Sequence, residues 1–168
     1  MASASSSCPS AASAQAFPVF AEGQDASALR ADVQKLLSES SGGQGKWALS
    51  GDGAGLERTF KFKTFAKTWD FMTAVSLQCK QHNHHPEWSN VYNTVFIRWT
   101  THVPRGLTDK DKQLAGVCDE LAQAFGEVPG QTQAAGDGGG ACELRDVAGR
   151  AVQSAGPECC MPKTKKTV

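Results

Sequence analysis

The sequence predicts an α+β fold: one four-stranded antiparallel sheet with three helices packed on one face, in the order α-β-β-α-β-β-α. Three observations lead there. Apolar residues recur at helical spacing in three stretches, around residues 25–38, 64–80 and 108–125. Between the first two lies Leu56-Glu57-Arg58-Thr59-Phe60-Lys61-Phe62, whose apolar residues share one parity, as in a half-buried strand. Two further strand-like runs meet at a turn at Asn93, which makes them a hairpin and the sheet antiparallel.

Each element has its own justification. The first helix, from about Asp25 to Ser38, carries Leu29, Val33, Leu36 and Leu37 on one face and ends at Gly42-Gly43. A short strand around Lys46–Leu49 leads through the Gly-rich turn Gly51–Gly55 into the strand at 56–62, with Glu57, Thr59 and Lys61 expected on its solvent face. From Thr64 to about Lys80 the stripe is Phe65, Trp69, Met72, Val75 and Cys79, and both Trp69 and Trp47 read as core. A polar loop, His82 to Trp88, is closed by Pro86. The hairpin follows as Trp88–Tyr92 and a long strand Thr94–His102, with Trp99 packing on a sheet face. Pro104 to Gly106 breaks the chain. Thr108 and Asp111 have capping-box spacing at the start of the last helix, so Asp111 reads as a cap rather than a pocket group. That helix carries Leu114, Val117, Cys118, Leu121 and Phe125 and ends at Gly126.

A chain of 168 residues has room for one ordinary domain, or a small one with tails. Residues 1–20 are mostly Ser and Ala, and residues 129–168 are rich in Gly, Ala and Gln. Both are expected to be disordered flanks of a domain at 21–128, with at most a transient helical turn from Leu144 to Val152. With 17 Lys and Arg against 17 Asp and Glu, bulk charge does not suit direct nucleic-acid binding. No apolar run is long enough to predict a membrane span. The six cysteines form no CxxC pair, and the N-terminus lacks the pattern of a secretory signal. Free thiols in a reducing compartment follow, with the cytoplasm expected and a nuclear or organellar site left open. Arg30 is the first basic residue, which disfavours a transit peptide. Cys159-Cys160, beside Lys163, Lys165 and Lys166, reads as solvated tail rather than as a lipidation or metal-capture site.

All four histidines fall between residues 82 and 102: His82, His84, His85 and His102. His102 shares parity with Phe96, Arg98 and Thr100 on the long strand, and folding of the hairpin would bring it towards His84 and His85. Pro86 holds His85 extended, so His84 and His85 point in different directions. Three readings compete: ordinary surface histidines, a metal site drawing on these residues and Cys79, and acid–base chemistry on a small molecule. The His-x-His-His spacing lacks a supporting carboxylate pattern, with Glu87 following proline and pointing away, so no metal is expected. Cys79 lies on a helix stripe and reads as core rather than nucleophile. No GxSxG, P-loop or GxGxxG motif occurs in the folded region.

The run His84-His85-Pro86-Glu87-Trp88-x-Asn90-Val91-Tyr92-Asn93, then Thr101-His102, then Gly106-Leu107-Thr108-x-x-Asp111-x-x-Leu114-Ala115, resembles the pterin-4a-carbinolamine dehydratases. Phe60-Lys61-Phe62 and Phe71-Met72 match as well, and the resemblance covers about residues 25–125. It implies a sheet of four antiparallel strands with three helices on one face. It also implies removal of water from 4a-hydroxytetrahydropterin to give quinonoid dihydropterin, which recycles tetrahydrobiopterin, with neither metal nor redox cofactor. By position His84 and His102 match the family's acid–base histidines, and His85 the histidine that binds and orients the pterin. Asn83, Pro86, Trp88, Thr100, Thr101 and Val103 fall where the family's pocket lies. The expected partners are the pterin substrate and further copies of the chain, as homodimer or homotetramer. Animal members also serve as dimerisation cofactors of a homeodomain transcription factor. The alternative is therefore a non-catalytic pterin-binding or protein-binding module using helix surfaces. Lys80 stands where animal members carry an acidic residue, and Asn83 stands before His84 in place of an aspartate, so that neither carboxylate is present. Their loss is expected to shift the pH optimum downward while dehydration survives.

Overall fold

Strands β1 (Ala48–Leu49), β2 (Leu56–Lys61), β3 (Glu87–Val91) and β4 (Thr94–Trp99) form one sheet in the order β1-β2-β4-β3, with every neighbouring pair antiparallel. The computed structural model describes residues 17–37, 46–128 and 139–155. The tight turn at Tyr92-Asn93 sets the hairpin register, which places Glu87 opposite Arg98. Helices α1 (Ala26–Leu37), α2 (Phe65–His82) and α3 (Asp109–Phe125) pack on one face. Leu29, Val33, Phe60, Phe62, Phe71, Val75, Val95, Ile97, Leu114 and Cys118 make a single core between them and the sheet. This is the predicted fold class.

Local chemistry sets the helix ends. The Asp25 carboxylate accepts from the Ser27 and Ala28 N–H groups ahead of α1, and Thr64 Oγ1 accepts from Lys67 N–H ahead of α2. At the far end of α2, Asn83 takes the left-handed conformation (φ 48°, ψ 51°), and the His84 N–H closes back on Cys79 O at 3.0 Å. This Schellman-type stop delivers the His84-His85-Pro86 segment to the edge of the sheet. Gly126 (φ 81°) ends α3 as expected. The Gly42-Gly43 stop falls outside the described residues.

Five expectations are corrected. The long strand Thr94–His102 breaks at Thr100, whose hydroxyl donates to Ala54 O at 2.8 Å. Beyond it β5 (Thr101–His102) leaves the sheet and pairs with β6 (Arg105–Gly106). Trp69 is 55% exposed rather than core. It lies one step of about 100° from Thr68 on the helix, and the buried line runs through Thr68, Phe71 and Val75. Residues 17–20 are not a loose flank. Val19 O accepts from Leu107 N–H, Ala21 N–H donates to Leu107 O, and Phe20 bridges Leu107. The remainder of the 1–20 flank lies outside the described residues.

The fourth correction is helix α4 (Gly139–Ala155), in the segment expected to lack stable structure. It lies on the face of the sheet opposite the other three helices, where Leu144 and Ala148 pack on Phe96. Phe96 alternates with the core residues Val95 and Ile97, so its side chain belongs to the second face. Residues 144, 148 and 152 repeat every four positions, which gives α4 its narrow apolar line. The rest of the 129–168 flank is outside the described residues. The fifth correction follows from the fourth: Glu57, expected to face solvent, is 4% exposed, under α4.

Candidate active site

The α2–β3 connection, ribbon β5–β6 and the start of α3 converge on one buried carboxylate. Asp111 is fully buried. Its Oδ1 lies 2.7 Å from His84 Nε2. Its Oδ2 accepts from the Thr101 hydroxyl, the Thr108 N–H and the Thr108 hydroxyl, each at 2.8 Å. The helix cap read from the sequence is thus present, and the same side chain also grips His84. A carboxylate only accepts hydrogen bonds, so Nε2 carries the hydrogen and a neutral His84 has its bare nitrogen at Nδ1. The ring also stacks on Trp99, with centroids 5.7 Å apart and planes 20° from parallel. Two constraints therefore fix both tautomer and plane.

His102 has a carboxylate of its own. Its Nε2 lies 3.3 Å from Glu87 Oε1. Arg98 holds Glu87 from behind, with Nη1 donating to Oε2 at 2.8 Å. Burial disfavours the Arg98 charge, but Glu57 and Glu87 more than restore it and raise its pKa. Thr101 and His102 are consecutive, so β5 touches the Asp111 cluster with one residue and the Glu87 cluster with the next. His84 and His102 thereby sit on two separate carboxylates flanking the same ribbon.

The remaining expected site residues are scattered around these two clusters. His85 is exposed and Pro86, which follows it, is buried. Trp88 is half-buried against the core. Val103 is exposed in the β5–β6 turn, and Asn83 is the exposed helix stop. Thr100 is tied to Ala54 O. His82 ends α2, and Lys80 is exposed one turn before His84. Burial pushes the Cys79 thiol up to about 11, which keeps it protonated and unreactive at neutral pH. Among the described residues, no three His, Cys, Asp or Glu side chains gather as metal ligands.

Sequence reasoning missed two of the residues that matter here. Asp111 was hidden by its helix-cap role. Glu87 was set aside as pointing away, yet the turn at Tyr92-Asn93 places it opposite Arg98, which has the parity of His102. The hairpin register therefore carried the signal.

Fold and site together define a class: an α+β protein with two imidazoles, His84 and His102, each beside its own carboxylate and so equipped to give and take protons at two points. Residues 27–121 match the family model described as pterin 4 alpha carbinolamine dehydratase. A Rhizobium meliloti protein provisionally named pterin-4-alpha-carbinolamine dehydratase is 45% identical over 83 residues, covering 49% of this chain and 78% of its own. One from Rhizobium johnstonii with the same provisional name is 41% identical over 93 residues, covering 55% and 88%. A crystal structure of a transcriptional coactivator/pterin dehydratase from Brucella melitensis covers 57% of this chain and 94% of that one at 29% identity, with a TM-score of 0.49. The chain belongs to the pterin-4a-carbinolamine dehydratase family.

Proposed function

We propose that the protein removes water from a 4a-hydroxytetrahydropterin by histidine acid–base catalysis. The observation that carries this reading is the His84–Asp111 hydrogen bond, 2.7 Å long and made to a fully buried carboxylate, in a chain of this family. Dehydration breaks the C4a–O bond and needs a proton on the departing hydroxyl. It also removes the proton from N5, whose electron pair then forms the N5–C4a double bond. Water and quinonoid dihydropterin leave, and no electrons enter. One imidazolium and one neutral imidazole meet this demand. His84, held by Asp111, presents Nδ1 as the base or acid at one point, and His102, backed by Glu87, serves the other. His85, exposed and next to His84 in the chain, orients the pterin, and Asn83, Pro86, Trp88, Thr100, Thr101 and Val103 frame it.

The same reading places the activity in tetrahydrobiopterin recycling, in the cytoplasm, and in a homo-oligomer. No helix among the described residues is long and apolar enough to cross a membrane. For the oligomer, the support is the outer surface of α2, where Phe65, Trp69 and Leu77 are 46%, 55% and 59% exposed. Burying such apolar side chains against a second copy is favourable. Analytical ultracentrifugation is expected to give a dimer or tetramer, and a monomer at micromolar concentration would contradict this part.

The test is a coupled assay. An aromatic hydroxylase generates the 4a-hydroxytetrahydropterin, and quinonoid dihydropterin is followed by absorbance with wild type, His84→Ala, His102→Ala and the double variant. Acceleration by wild type, reduced in each single variant and lost in the double, is expected. No acceleration by folded wild-type protein would overturn the reading.

A further inference from the structure

The second face of the sheet is wired to the site. Helix α4 lies across β3 and β4, with Leu144 and Ala148 closed on Phe96. Ser89 Oγ donates to Leu144 O at 2.6 Å, which pins the helix to β3. Arg145, on the same turn, brings Nη2 to 2.9 Å from Glu57 Oε2. That oxygen is buried and has no hydrogen bond of good geometry, so its compensation is the charge of Arg145. Glu57 Oε1 accepts from Arg98 Nε at 2.6 Å. Arg98 Nη1 donates to Glu87 Oε2 at 2.8 Å, and Glu87 Oε1 faces His102 Nε2 at 3.3 Å.

The signs alternate along this path: Arg145, Glu57, Arg98, Glu87, then the imidazole. Glu57 and Glu87 side chains are 3% and 8% exposed. Two nearly buried carboxylates therefore share the one guanidinium of Arg98 between them. Burying two negative charges against one positive charge is unfavourable. Arg145 supplies the second cation and balances Glu57 from the other side, which leaves Arg98 free to hold Glu87 against His102. The family match ends at Leu121, so this cation comes from a helix outside the matched region.

We propose that Glu87 is the positioning residue for His102, and that α4, through Arg145, Glu57 and Arg98, is part of the device that holds Glu87 in place. The proposal rests on the reading above in that His102 handles a proton of the dehydration. It assigns α4 a role in the rate of the reaction rather than only in covering the sheet.

The experiment compares full-length Glu87→Gln, Arg145→Gln, Arg145→Lys and Arg150→Gln, the last an exposed arginine on the same helix. Two readouts are taken: kcat and KM in the dehydratase assay, and the ring NMR signals of His102, assigned by its loss in His102→Ala. Misplacing one acid–base group predicts a kcat loss of about tenfold for Glu87→Gln and about threefold for Arg145→Gln, with KM little changed. Arg145→Lys is expected to recover most of the loss, and Arg150→Gln to match wild type. The His102 signals are expected to move in Glu87→Gln and Arg145→Gln and to stay put in Arg150→Gln. Unmoved signals in Arg145→Gln would overturn the role of α4, and unmoved signals in Glu87→Gln would overturn the whole. The NMR readout needs no turnover. Signals that move in an inactive wild-type background would sink the dehydratase reading while leaving the wiring intact.

Discussion

His84 and Asp111 meet at 2.7 Å, and the three donors on the other Asp111 oxygen leave little freedom in how they meet. An amide at position 111 would keep its oxygen towards Thr101 and Thr108 and turn its NH2 group to His84. Nε2 would then have to accept, and the hydrogen would move to Nδ1, the nitrogen to which the proposed mechanism gives the proton transfer. Asp111→Asn is therefore expected to lower kcat by about 10²- to 10³-fold, the range of a lost acid–base group. It is also expected to cost about 1–3 kcal/mol of stability, because buried donors lose a charged acceptor. Steady-state kinetics with urea unfolding checks both, and activity within a few-fold of wild type would contradict the tautomer argument.

Asp52 ties the Gly-rich turn to ribbon β5–β6 through Arg105. Partial burial raises its pKa, but the Ser50 hydroxyl, the Ala54 N–H and the Arg105 guanidinium outweigh that and bring it down to about 2 from 3.8. A carboxylate with a depressed folded-state pKa binds protons more readily when unfolded. Its contribution is thus fully present above about pH 4 and is lost as the pH falls towards 2. Asp52→Asn is expected to flatten the stability profile in that window and to leave the slope above pH 5 unchanged. Thermal melts of both proteins from pH 2 to pH 7 make the comparison, and parallel profiles throughout would count against it.

Both cysteines with described side chains, Cys79 and Cys118, are free thiols. Burial pushes them up to about 11 and about 12. At pH 8 only about a thousandth or less of either is thiolate, the reactive form. A colourless-to-yellow disulfide reagent is expected to spare both in the native protein and to reach them only after unfolding. Fast native labelling that falls by one thiol in Cys79→Ser, with the other four cysteines replaced by serine in both proteins, would show the α2 stripe to be more open than described.

The legible part of the molecule was the part with long apolar rows. Leu29 and Val33, Phe60 and Phe62, and Leu114 and Cys118 each repeat at the period of their element, and the hairpin turn at Tyr92-Asn93 fixes its own register. The histidine cluster was legible because four of one rare residue fall within one short stretch. Helix α4 was not. Its apolar line rests on Leu144, Ala148 and Val152 amid Gly and Ala, and its support comes from Phe96, a residue far away in sequence. Trp69 was misjudged because a stripe counted at i, i+4 and i+7 tolerates a wide arc of the helix, and the core lies along one edge of that arc, on Thr68, Phe71 and Val75. Asp111 shows a different limit, since one carboxylate meets two demands and the local one alone satisfies the pattern.

Two glycines make opposite predictions. Gly106 has φ +136°, and a Cβ there would sit 2.6 Å from Phe20 C and 2.5 Å from Ala21 N. Both neighbours are backbone, so the 17–21 segment or ribbon β5–β6 must shift. Gly106 pairs with Thr101, one residue from His102. Gly106→Ala is therefore expected to destabilise by more than about 2 kcal/mol and to lower kcat as well, since Thr101 and His102 move with the ribbon. Gly116 lies inside α3 with open space around it. Replacing it with alanine reduces the freedom of the unfolded chain and is expected to stabilise by about 0.5–1 kcal/mol, with kcat unchanged. Urea unfolding and the dehydratase assay on the two variants separate the cases. A Gly106→Ala protein as stable and active as wild type would mean that the N-terminal segment does not hold the ribbon in place.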